Sequence, residues 1–220
     1  SEGKDDEVQA AKKKFLNETY RMISVAMGEP PKKFDLEYRD DDKKYHLDKD
    51  LTPRQFFDKY LGNFPVDDYV LVLNAPNLEY GKLYHQPIYD NVSDGNQIVG
   101  LNLPIEVLTN AALSQLKDGN PVMFGSDVPK EFDQKSGYMD TKLYETDKLF
   151  NVDTQMSKAD RLATGEGVAT HDMTIVGVDE DQGQIRKWKV ENSWGDKVGK
   201  KGFFIMSQPW FENYVYDVII

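Results

Sequence analysis

The chain has 220 residues, of which 39% are hydrophobic and 30% charged, with a net charge of −11 and no cysteine. That length fits one large domain or one and a half small ones, with enough apolar residues for a core. The acidic balance argues against nucleic-acid binding, which draws on phosphate neutralisation; no apolar run nears the ~20 residues of a membrane span; and zero cysteines exclude disulfides and thiolate metal sites while fitting a reducing compartment.

The opening SEGKDDEVQA is polar, lacks Met and carries no signal-peptide pattern, so an internal start is expected. Val8, Ala11, Phe15, Thr19, Met22 and Ala26 recur at spacings of three and four, which predicts a helix over Asp6 to Met27. Gly28 and Pro30-Pro31 stop it. The charged stretch Lys32 to Asp50 reads as an exposed hairpin or a loop. In LTPRQFFDKYLG, Thr52 is an N-cap, Pro53 opens a helix and Gln55 completes a capping box, with Gly62 as the end.

The period then changes. Tyr69 to Pro76 and Gln97 to Pro104 are strand candidates. Ile105, Leu108, Ala112 and Leu116 share one helix face, ended by Gly119, and Pro121 to Val128 reads as a buried strand. Pro129 to Gly167 is polar with few clear periods, a length of loop that is usually functional or mobile. The end reads as all strand: Met173 to Val178, Arg186 to Glu191, Phe203 to Met206 and Tyr214 to Ile220. Lys197, Lys200 and Lys201 read as a solvated turn. The expected organisation is α+β: a helical segment over 1–66 and a β-rich domain over 67–220 with a helix at about 104–118.

Of three histidines, His46 sits in the charged stretch and reads as a surface residue, and His85 lies among aromatics as a strand-edge residue. His171 differs, because in VATHDMTIVGVDED it stands where a loop enters an apolar run. Taken alone, such a histidine is more often structural. The second feature is KWKVENSWG, where Asn192 falls at a strand end. An Asn there commonly caps a turn. Its carbonyl oxygen can also accept an imidazole proton, which fixes the tautomer and leaves the other nitrogen for a nucleophile. Trp194 is large enough to shield that bond from water. Asp179 to Gln184 is a natural hairpin loop, so the head of one strand lies beside the end of the next. His171 and Asn192 are therefore expected at one rim.

The stretch THDMTIVGVDED…KWKVENSWGDKVGKKGFF…WFENYVY resembles the C-terminal half of the papain-like cysteine peptidases, and within them the bleomycin hydrolase/aminopeptidase C family; DGNPVMFGSDV also fits. The resemblance implies a papain-like fold with an antiparallel sheet or barrel in the second half. It implies that His171 is the catalytic base, that Asn192 orients it and that Trp194 covers their contact. It places the nucleophilic cysteine, with a glutamine of the oxyanion hole, in an N-terminal half outside this chain; Gln55 and Gln97 have no such motif context. By the same resemblance the protein is a cytoplasmic homo-oligomer, a hexamer, acting on peptides without a cofactor. The family usually has a small residue after the histidine, whereas Asp172 stands here. That carboxylate is expected to raise the imidazolium pKa or to alter what a neighbouring subsite accepts.

Other readings remain. A pseudo-peptidase module would keep the fold and bind peptides or partner chains, and an endopeptidase branch of the same family is a further alternative. A metal-dependent hydrolase lacks any short His-Glu spacing to support it, and no carboxylate pair is singled out for glycoside hydrolysis.

Overall fold

The structure is a computed structural model that describes residues 2–90, 92 and 95–220. It divides into two compact units, Ser1–Pro65 and Val66–Ile220.

The first unit begins with α1 (Glu2–Met27), which ends at Gly28 in the left-handed region at φ 84°. Phe15, Leu16, Tyr20, Met22 and Ile23 stay exposed along it. The charged stretch is a hairpin of β1 (Phe34–Arg39) and β2 (Tyr45–Leu51). Next comes α2 (Pro53–Phe56), which runs on as a π-helical turn over Phe57–Leu61. Its start is a reciprocal cap: Gln55 N–H donates to Thr52 Oγ1 at 3.2 Å, and Thr52 N–H donates to Gln55 Oε1 at 2.9 Å. Phe56 packs on Phe34 and Tyr60, with ring centroids 5.8 and 5.1 Å apart.

The second unit is built on one sheet. Its strands in chain order are β3 (Leu71–Leu73), β4 (Lys82–His85), β5 (Val99–Asn102), β6 (Val122–Ser126), β7 (Phe132–Asp133), β8 (Tyr138–Met139), β9 (His171–Asp181), β10 (Gln184–Glu191), β11 (Phe203–Ser207) and β12 (Val215–Ile219). The spatial order is β4-β5-β3-β12-β6-β9-β10-β11-β8-β7. Most pairs are antiparallel, while β3 with β5 and β8 with β11 are parallel. Helix α3 (Ile105–Lys117) packs its Leu108 and Ala112 face over β6, β9 and β12. Phe124, Ile175, Trp188, Phe204, Trp210 and Val218 fill the core with essentially no exposure. Each such side chain contributes about 1.5–3 kcal/mol by leaving water.

The α+β class holds, with local differences from the sequence reading. Strands begin early: β1 to β5 all precede residue 103, so helices do not own the first half. The polar region after Pro129 carries β7, β8, α4 (Thr146–Phe150) and α5 (Lys158–Thr164). The closing segment is not all strand, because α6 (Gln208–Tyr214) separates β11 from β12. Ser207 Oγ accepts from Trp210 N–H at 3.3 Å and Pro209 sits in the first turn, which starts the helix. The β9–β10 loop is shorter than expected. Both strands extend until only Gln182 and Gly183 remain, at φ 52° and 79°, as a type I′ turn requires.

Candidate active site

That hairpin sets the site. β9 and β10 pair antiparallel up to Glu191 opposite Thr174, which leaves His171 at the head of one strand and Asn192 just past the end of the other. Asn192 is held there by its own N–H, which donates to Gly202 O at 3.1 Å. Gly195, at φ 85°, then turns the chain away.

His171 Nε2 lies 2.9 Å from Asn192 Oδ1. Ser193 N–H donates to the same Oδ1 at 2.7 Å. A backbone N–H can only donate, so that atom of the amide is the oxygen. It follows that Nε2 carries a proton and donates it, and that Nδ1 is the nitrogen left to accept or deliver one. Asn192 is buried, and its Nδ2 has no partner within the described chain. The Trp194 ring stacks on the imidazole with centroids 4.8 Å apart and planes at 23°. Phe132 and Phe204 hold it edge-on at 5.9 and 6.3 Å. Trp194 keeps 41% of its surface exposed, so it covers the His–Asn contact from one side only.

Asp172 is not brought to the imidazole. Consecutive strand residues point to opposite faces, and the register pairs His171 with Ser126 but Asp172 with Gly125. The Asp172 carboxylate faces Asp217, the residue paired with Gly125 from the other side on β12. Burial, followed by the Asp172 charge, pushes the Asp217 carboxyl up to about 6. Sequence reasoning missed Asp217, although it is the one charge in the closing run YVYDVII. It also missed Ser126, opposite His171, whose buried hydroxyl has no partner among the described residues. The other histidines are engaged elsewhere. His46 Nε2 sits 2.7 Å from Asp40 Oδ2 and stacks on Tyr38. His85 ends the edge strand β4, 2.5 Å from Asp90 Oδ2. Among the described residues no three His, Asp or Glu side chains are placed to hold a metal ion, and no helix is long and apolar enough to cross a membrane.

A sheet packed on α3, with an imidazole and a carboxamide joined at one rim, is an arrangement of papain-like peptidases. The chain belongs to the Peptidase C1-like family, whose model matches residues 1–220. It is 60% identical over 219 residues to aminopeptidase E of Lactobacillus helveticus, covering 100% of this chain and 50% of that protein. It is 44% identical over 218 residues to aminopeptidase C of the same organism, covering 98% of this chain and 48% of that protein. The crystal structure of PepW from Lactobacillus rhamnosis HN001 superposes with a TM-score of 0.91 at 49% identity, covering 98% of this chain and 49% of that one. The resemblance to the aminopeptidase C group therefore stands. The chain spans about half the length of these relatives.

Proposed function

We propose that this chain supplies the proton-handling half of a cysteine peptidase of aminopeptidase type, with His171 as general acid and base and Asn192 as the residue that positions it. The observation that carries the reading is the 2.9 Å Nε2–Oδ1 contact, which commits one ring nitrogen and leaves Nδ1 free. The sulfur comes from a cysteine outside these residues, since the chain has none. Nδ1 takes the thiol proton, giving a thiolate–imidazolium pair. The thiolate attacks the peptide carbonyl carbon. Nδ1–H then protonates the leaving amine as the C–N bond breaks, leaving a thioester. Water attacks the thioester carbonyl while Nδ1 accepts its proton, and the carboxylic acid departs with the thiol restored. Trp194 supports this by holding the ring in plane and drying one side of the Nε2 bond. Relatives named aminopeptidases favour exopeptidase over endopeptidase action. The family resemblance favours a hexamer, and the lack of cysteine suits a reducing cytoplasm.

The test uses protein spanning the full length of the relatives, assayed with aminoacyl and internally quenched peptides. His171→Ala lowers kcat/KM by about 10²–10⁴-fold, the usual worth of general acid–base catalysis, and the 220-residue chain alone is inert. Undiminished hydrolysis by the His171→Ala protein, or turnover by the isolated chain, overturns the reading.

A further inference from the structure

The backbone that delivers His171 is a stretch without helix or strand, Glu166 to Thr170, between α5 and β9. Its course is set by what it touches. Gly167 N–H donates to Arg161 O at 2.9 Å, and Thr170 N–H donates to Ser126 O at 2.9 Å. Thr170 Oγ1 accepts from Val128 N–H at 3.2 Å. The Glu166 carboxylate pairs with the Lys130 ammonium. Ser126, Val128 and Lys130 belong to the run of chain that leaves β6, so two loops are laced together directly ahead of the imidazole.

Asp127 lies in the middle of this seam and is only 3% exposed. Its N–H donates to Tyr214 O at 3.0 Å, which ties the seam to the end of α6. Burial raises its carboxyl above the usual range, against the pull of the Lys130 charge, the Val168 N–H and the Arg161 charge. Arg161 is buried too, and it spends its terminal nitrogens on Met156 O and Asn213 O. Its charge acts on Asp127 and on Glu166. Asp127 Oδ2, Arg161 Nε and Tyr216 Oη are all buried with no hydrogen-bond partner among the described residues, so the carboxylate steadies the guanidinium by charge at a distance. A buried carboxylate is costly to keep. A turn that only joined β6 to β7 could hold an apolar residue there instead.

The seam supplies what the β9–β10 hairpin does not. That hairpin fixes His171 relative to Asn192. It does not fix the ring relative to a thiol that arrives from outside these residues. The lead-in does, because it sets where β9 starts and how the ring stands off its end. Proton transfer needs heavy atoms about 2.6–3.2 Å apart, and a misplacement of about 1 Å costs roughly 10²-fold in rate.

We propose that Asp127 is a positioning residue for the reaction: its buried carboxylate holds the Glu166–Thr170 lead-in through Val168 and Arg161, and so holds the His171 imidazole where the cysteine thiol reaches Nδ1. The proposal rests on the peptidase reading above and adds to it a residue that touches neither substrate nor thiol.

The experiment uses protein of the relatives' full length. Asp127→Ala is compared with Val72→Ala, a core truncation on β3, which pairs with β12 and β5. Asp127→Ala lowers kcat by about 10- to 100-fold with KM within about twofold. Asp127→Asn, which keeps an oxygen for the Val168 N–H, recovers part of the loss, and Val72→Ala leaves kcat within about twofold. In ¹⁵N spectra the His171 ring signals move in Asp127→Ala and stay in place in Val72→Ala. Where Asp127→Ala does not fold, Thr170→Val tests the same seam at an exposed position: it lowers kcat several-fold at constant KM, and Thr170→Ser restores it. A kcat for Asp127→Ala within twofold of the unmodified protein overturns the proposal. So does a fall no larger than that of Val72→Ala, a change confined to KM, or, where Thr170 is the probe, a kcat that Thr170→Val leaves unchanged. Lack of hydrolysis by the unmodified protein sinks the peptidase reading, and the ring signals then still decide whether Asp127 holds the imidazole. Hydrolysis that Asp127→Ala leaves intact sinks only the positioning role.

Discussion

Replacing Asp217 by Asn removes a buried charge together with a weaker attraction to Lys158. The amide keeps an oxygen for the Gly125 N–H that now donates to Oδ1 at 3.0 Å, and its volume is nearly the same. The folded carboxyl titrates near 6, while an unfolded one titrates near 3.8. Below 3.8 both states hold the proton, so the charge costs nothing there. Between 3.8 and about 6 the folded chain retains a proton that the unfolded chain releases, so stability falls as pH rises through that window. Above it the loss is complete, and the gap corresponds to about 3 kcal/mol. Asp217→Asn has no such titration. It is therefore expected to match the unmodified chain near pH 4 and to exceed it by about 2–3 kcal/mol near pH 7.5. Urea unfolding at four pH values between these limits gives the difference directly, provided the slope with denaturant is unchanged. A variant whose advantage shrinks with rising pH, or that is weaker at pH 7.5 than at pH 4, refutes the reasoning.

Asn192→Ala in the full-length protein leaves the Nε2–H of His171 without its acceptor and frees the ring to turn. A fall in kcat/KM of about 10- to 100-fold is expected, in line with the loss of an orienting partner, read by progress curves across pH. Lys158→Met tests a clamp far from the site. The Lys158 amine is buried, and burial pushes it down to about 7. It nonetheless donates to Asn74 Oδ1 at 2.6 Å, to Glu212 O at 3.1 Å and to Val215 O, so an ammonium has every N–H used. Removing it strands these acceptors where α5 meets the α6–β12 junction, and a loss of about 2–4 kcal/mol is expected by denaturant titration. Gln182→Asn places the favoured Asn-Gly pair in the β9–β10 turn and raises stability by a few tenths of a kcal/mol up to about 1, measured as a shift in Tm.

The His171–Asn192 contact was legible in the sequence because it needs only local information. An apolar run, a turn with glycine and a second run put their outer ends together whatever surrounds them, and a segment spanning only 21 positions closes on itself. The fate of Asp172 was not legible. Its company is set by the register of β6 and β12, which bring Gly125 and Asp217 from 47 residues upstream and 45 downstream. No period in the sequence records which residues of distant strands end up opposite. Helix α6 was hidden for another reason. Its seven residues are too few to show a period, and Trp210 and Phe211 suit a strand as well as a helix. Only Ser207 and Pro209 marked its start.

The two faces of β9 divide the work of the site by the simplest rule of strand geometry. His171 points to the side of Met173 and Ile175, both buried in the core, so the packing of that core fixes the strand that carries the imidazole. Asp172, one residue on, points the other way, toward Asp217 across Gly125. A change at Asp172 or Asp217 is expected to leave the Nε2–Oδ1 bond on the far face in place. His171 and Asp172 are thus adjacent in sequence yet on opposite faces of the sheet, so a substitution of the acid reads the packing of its own face and not the orientation of the ring.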